Sequence, residues 1–173
     1  IHLLSLAEEK KIACYIRNRN NMSFGFARNQ GLDMATGEYI CIADNDIFYK
    51  PGWLEKCIEI LEEYPDRKLG VTPLKADRQH RNVRHWTGEV TLEQGKQKFP
   101  TNMRAGSNCW VMERSDFDKV GRFEMHRIAG SRWNDRFCRE GFTMATMEVN
   151  PLAQDMAFKK GYDFHAEIPH KET

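Results

Sequence analysis

The run Glu38-Tyr39-Ile40-Cys41-Ile42-Ala43 is nearly continuous in aromatic and branched apolar residues, and it stops abruptly at Asp44-Asn45-Asp46. A strand with one wet face alternates polar and apolar residues; a continuous apolar strand is covered on both faces, as in a parallel sheet. Such a strand needs packing partners above and below it, which restricts the chain to layered α/β architectures. The flanking pattern agrees. Residues 24–36 read as a helix through Ala27, Leu32, Met34 and Ala35, with Gly37 as its stop. Pro51 suits a first helical turn, and Trp53, Leu54, Cys57, Ile58 and Leu61 form one helical stripe that should end before Pro65.

Further strands are expected at Ile12–Ile16, Leu69–Leu74, Ser107–Arg114 and Thr143–Val149. Residues 1–11 read as the end of an amphipathic helix, and 115–121 as a capped helical turn. A short helix opened by Asn134 is expected over 134–142. Residues 75–104 are polar, basic and poorly periodic, and read as a long surface excursion. At 173 residues the chain fits one domain. Its net charge of +1 creates no global field for nucleic acid or an anionic membrane surface. The basic segment Lys75, Arg78, His80, Arg81, Arg84, His85 has one adjacent aromatic, Trp86, so a substrate-covering loop is expected there rather than a nucleic-acid surface. The five cysteines contain no C-x-x-C pair, which points to reduced thiols and a cytoplasmic location. No apolar run is long enough to span a bilayer.

Two carboxylates flanking Asn45 repel each other and are costly to desolvate. A hard divalent cation at the strand end would neutralise them; a solvated turn, which Asp and Asn favour locally, accounts for the same residues. If the backbone stays extended, Asp44 and Asp46 point to the same side.

The longer stretch NNMSFGFARNQGLDMATGEYICIADND resembles the family 2 glycosyltransferases of the GT-A fold. VMERSDFDKVGRFEM and AGSRWNDRFCREGF continue the likeness, so it spans roughly residues 10–145. The resemblance implies a three-layer α/β/α GT-A domain over residues 1–173, with a mostly parallel central sheet. The family's first strand-helix-strand unit has no counterpart in it. Ile1 in place of methionine reads as the start of a fragment, and the exposed sheet edge this would leave favours self-association.

The implied function is inverting transfer of a sugar from a nucleotide-diphospho-sugar donor to a hydroxyl acceptor, dependent on Mn²⁺ or Mg²⁺. Asp46 would bind the metal, and Asp44 the ribose or a metal-bound water. Arg28 and Asn29 would lie near the nucleotide. Asp135 would be the general base, placed in a first helical turn, with Glu140 as the fallback; Asn134 stands where the family carries Glu. Trp133 would offer a flat face to the acceptor, with Trp110 as a second such ring. His165 is the candidate further metal ligand, beside His170 and Asp155. The competing readings are a non-catalytic sugar-nucleotide-binding module and a phosphatase with Asp44 as nucleophile. The latter is disfavoured by Phe48 where a small Thr or Val is usual.

Overall fold

The computed structural model describes residues 2–45, 47–66, 68–73, 91–94, 97–102, 109–125, 129–146 and 153–155, with side chains left out at 2, 91–94, 97–102, 129–131 and 153–155. Asp46, the basic segment 75–86, His165 and His170 lie outside the described residues.

The expected apolar strand is β1 (Tyr39–Ala43), but it is not covered on both faces: among the described residues it lies at the edge of its sheet, with Ile40 buried and Cys41 and Ala43 exposed. The striped helix is α3 (Trp53–Glu63). They follow α1 (His2–Glu8) and α2 (Phe24–Met34), with the short β2 (Ile47–Tyr49) in between. β3 (Leu69–Thr72), β4 (Thr91–Gln94), β5 (Gln97–Asn102), β6 (Cys109–Glu113), α4 (Arg114–Val120), α5 (Ala129–Arg139), β7 (Thr143–Thr146) and β8 (Ala153–Asp155) complete the order.

Six strands form one sheet in the order β1-β6-β3-β7-β5-β4. It is mixed, which corrects the mostly parallel expectation. β6 runs antiparallel to both β1 and β3, and only β3–β7 is a parallel pair. Because β6 opposes two neighbours, β1, β3 and β7 nevertheless point the same way. Their carboxyl ends, at Ala43, Thr72 and Thr146, therefore share one rim. The apolar run of β6 reports its burial on two faces but not its direction, so β6 was indistinguishable from a parallel strand.

Two apolar clusters flank the strands. Ile40, Trp110, Met112 and Met144 pack with Leu32 of α2, Phe117 and Val120 of α4, and Trp133 and Phe137 of α5. Leu69, Val71, Val111 and Ala145, from the alternate positions, pack with Cys57, Ile60 and Leu61 of α3. Gly70 lies between Met112 and Met144 in register, and a Cβ there would approach the Met144 methyl to 2.7 Å.

Two expectations fail. Ile12–Ile16 forms no strand, and Cys14, Tyr15 and Ile16 are exposed; a strand exists only through a ladder, and among the described residues this segment finds none. The supposed excursion 75–104 contains the β4–β5 hairpin, and β5 pairs with β7 through Thr101↔Ala145 and Asn102↔Met144. Its polar composition hid that pairing.

Ser23 precedes α2 with φ 82° and ψ 155°, a region that suits glycine and strains other residues. Its hydroxyl is buried and, among the described residues, unpartnered. Replacing Ser23 by Gly removes the strain and the unsatisfied hydroxyl at a smaller cost in chain entropy. The variant is expected to be about 1 kcal/mol more stable, read as a higher urea midpoint at unchanged slope. A lowered midpoint would contradict this backbone geometry.

Candidate active site

Ligands of open α/β sheets collect beyond the carboxyl ends of the strands, and Asp44 directly follows β1 at the shared rim. The guanidinium of Arg28, one helix away, donates to Asp44 Oδ1 at 2.8 Å. Arg28 is no surface helix residue: its side chain is 11% exposed, against 34% for Asp44. It lies over the Phe24 ring, 3.5 Å from the centroid, with Phe123 at 5.5 Å. Phe24 and Arg28 are i,i+4 neighbours on α2, so helix geometry alone stacks them. Burial pushes the Arg28 pKa down while Asp44 pulls it back up. The charge offset that the sequence demanded for Asp44 is thus supplied at least in part by an arginine of the same chain.

Behind Asp44 the chain turns back through β2. The Tyr49 hydroxyl donates to the Asp44 carbonyl at 3.5 Å, and its ring stacks on Trp53 at 4.4 Å. Burial raises the Tyr49 pKa, so the phenol stays protonated. β2 pairs with β8 in a register that sets Ile47 opposite Asp155. This brings the backbone of Asp155 beside the acidic turn, a juxtaposition across more than a hundred residues that spacing could not reveal.

Asn29, expected beside a nucleotide, is a tie instead. Its Nδ2 donates to the Phe123 carbonyl at 2.7 Å and its Oδ1 accepts from the Phe123 amide at 3.1 Å. Arg136 holds the same loop by donating to the carbonyls of Val120 and Arg122 and to Glu124. Hydrogen bonds from Arg132, then Arg136, hold the Glu124 carboxyl below its ordinary pKa.

Trp133 is not an acceptor platform in this structure. It is 1% exposed, with Trp110 stacked at 4.9 Å and Phe123 at 5.3 Å, and its indole N–H donates to the Gly121 carbonyl at 2.8 Å. Trp110 is equally buried. Both rings serve the core because Trp133 of α5 stacks against Trp110 of β6 inside one apolar cluster.

Asp135 also sits elsewhere than expected. α5 opens at Ala129, not Asn134, and its first turn contains no acidic residue. Asp135 is therefore in the helix interior, exposed, two residues from Trp133 and so on the opposite side of the helix. The dipole argument for a first-turn acid no longer applies to it. Glu140, just past the helix end, is exposed as well.

A divalent cation would want several hard oxygen ligands. Asp44 is one such donor, already tied to Arg28; among the described residues no group of three His, Cys, Asp or Glu could hold a metal. A groove of about 260 Å³ runs from Arg28 on α2 and Ala35 just past its end to Tyr39–Ala43, along the edge of β1 that no strand covers among the described residues. No described helix is long and apolar enough to cross a membrane.

The pattern-bearing half of the chain has a known counterpart. The model of the family described as Glycosyl transferase family 2 matches residues 2–121, well over half of the sequence. No curated protein matches the chain. From the extent of that family match, the chain belongs to glycosyl transferase family 2.

Proposed function

We propose that this chain binds a nucleotide-diphospho-sugar at the rim where β1, β3 and β7 end, and transfers the sugar to a hydroxyl acceptor with inversion. The observation that carries the reading is Asp44, at a strand's carboxyl end and clamped by a buried arginine, inside the family match. The two apolar clusters on alternate strand positions support a three-layer GT-A-like domain.

Arg28 fixes the Asp44 carboxylate so that it can accept from a ribose hydroxyl without reorganising. Its guanidinium also leaves positive potential beside the position of a diphosphate. Asp46 supplies the second carboxylate of the turn, and Asp155 a third oxygen donor whose backbone lies beside it. Asp46, with Asp44 and Asp155, would hold a Mn²⁺ or Mg²⁺ ion there, and such an ion would neutralise the charge of the diphosphate. Asp135 is the proposed base, accepting the proton of the acceptor hydroxyl.

Titration calorimetry with a panel of nucleotide-diphospho-sugars, with and without Mn²⁺, tests the donor site. The wild type is expected to bind one of them in a Mn²⁺-dependent manner, and Asp46→Asn to lose that dependence. Metal-independent binding, or none, would remove the donor reading.

A second reading rests on the outward placement of Asp135 and on the family match stopping at residue 121, short of α5. In it the chain holds the donor without transferring the sugar.

A further inference from the structure

We propose that Phe24 is a positioning residue of the donor site, a role that rests on the donor reading above. With Phe123 it forms an aromatic corner that locks the Arg28 guanidinium in the orientation that serves Asp44.

Three contacts define the corner. Cζ of Arg28 stands 3.5 Å from the Phe24 ring centroid and 5.5 Å from that of Phe123. The two rings meet edge to face, 81° apart with their centroids at 6.0 Å. Phe24 is thus a floor under the guanidinium and Phe123 a wall beside it, while Nη2 donates to Asp44 Oδ1 at 2.8 Å. A planar cation bounded by two perpendicular rings loses the rotations that would swing its fork away from the carboxylate.

Floor and wall are both tied to α2. Phe24 lies one turn before Arg28 on that helix. Phe123 belongs to the loop after α4, but the amide of Asn29, next to Arg28 in the chain, grips its backbone through both polar atoms. Its ring also stacks on Trp133, so the wall is backed by the core.

Packing of the core does not account for Phe24. The residue is 38% exposed and belongs to neither apolar cluster. Its ring face is turned to a cation instead. That face replaces water the guanidinium gives up, and leaves the Arg28 side chain 11% exposed. With the plane of Arg28 set in advance, donor binding carries no cost for ordering the Arg28–Asp44 pair. Lysine at position 28 would keep the charge and lose the stack.

The test has two arms, both on the intact chain. In the first, proton–nitrogen NMR without donor reads the Arg28 Nε–H, assigned by its loss in Arg28→Lys. It is expected upfield of the other arginines, because the guanidinium lies over a ring face. Phe24→Leu should return it to the ordinary range, and Phe24→Tyr should keep it shifted. In the second, calorimetry with nucleotide-diphospho-sugars and Mn²⁺ reads donor affinity. Phe24→Leu should weaken it by about tenfold, the scale of a desolvated cation–π contact, and Phe24→Tyr should restore it. In an Arg28→Lys background, Phe24→Leu should add no further loss, because Phe24 acts through Arg28. Additive losses, failure of Phe24→Tyr to restore affinity, or an Nε–H that Phe24→Leu leaves unmoved would each overturn the proposal. A wild type with the upfield Nε–H that binds no donor would sink the donor reading and leave the corner standing. Circular dichroism of each variant separates loss of the ring from loss of the fold.

Discussion

Trp133→Ala is expected to lower stability by about 3–5 kcal/mol, the range for emptying a large aromatic site in a packed core. Folded domains hold about 5–15 kcal/mol in total, so the variant should be largely unfolded in mild urea. The indole is sandwiched by Trp110 and Phe123, with Phe117 at 5.8 Å and Phe137 at 5.4 Å, so truncation leaves rings from two helices and a strand facing a void. It also strips the Gly121 carbonyl of its donor. Trp133→Phe keeps most of the packing and loses only the hydrogen bond, so its expected cost is about 1–2 kcal/mol. Urea titration followed by circular dichroism reads both. If Trp133→Ala folds like the wild type and loses only acceptor affinity, the ring is a sugar platform after all.

Asp135→Asn separates the two functional readings. If Asp135 takes the acceptor proton, the amide should cut turnover by about 10²–10⁴-fold, since an amide cannot serve as the base. Donor titration should be unchanged, because Asp135 is an exposed residue of α5, an element apart from those that carry Arg28, Asp44 and Tyr49. Its exposure and its place opposite the buried face of α5 make a folding defect a poor explanation for lost turnover. Unchanged turnover in the variant would remove Asp135 as base and direct attention to Glu140. A wild type that binds donor but shows no turnover at all supports the binding-only reading.

The core strands and helices were legible wherever apolar spacing was unambiguous. Tyr39–Ala43, Trp53–Glu63 and Cys109–Glu113 were all readable before any coordinate, because burial on one or both faces writes a period into the residues themselves. The start of α5 was not legible: Ser131 and Asn134 are both cap-type residues, yet both lie inside the helix. Trp133 illustrates a further ambiguity, since a sugar platform and a core ring call for the same residue.

The sequence by itself determined the α/β class, the helix and strand that bring Arg28 and Asp44 to one end of the sheet, and membership of the family. Those properties are local: they follow from spacing, turn chemistry and a contiguous motif. Only the tertiary structure decided the direction of β6, the bond between Arg28 and Asp44, and the register of Asp155 beside the acidic turn. Each of these joins residues far apart in the chain, and distance in space is set by how layers pack against one another rather than by any period within one segment.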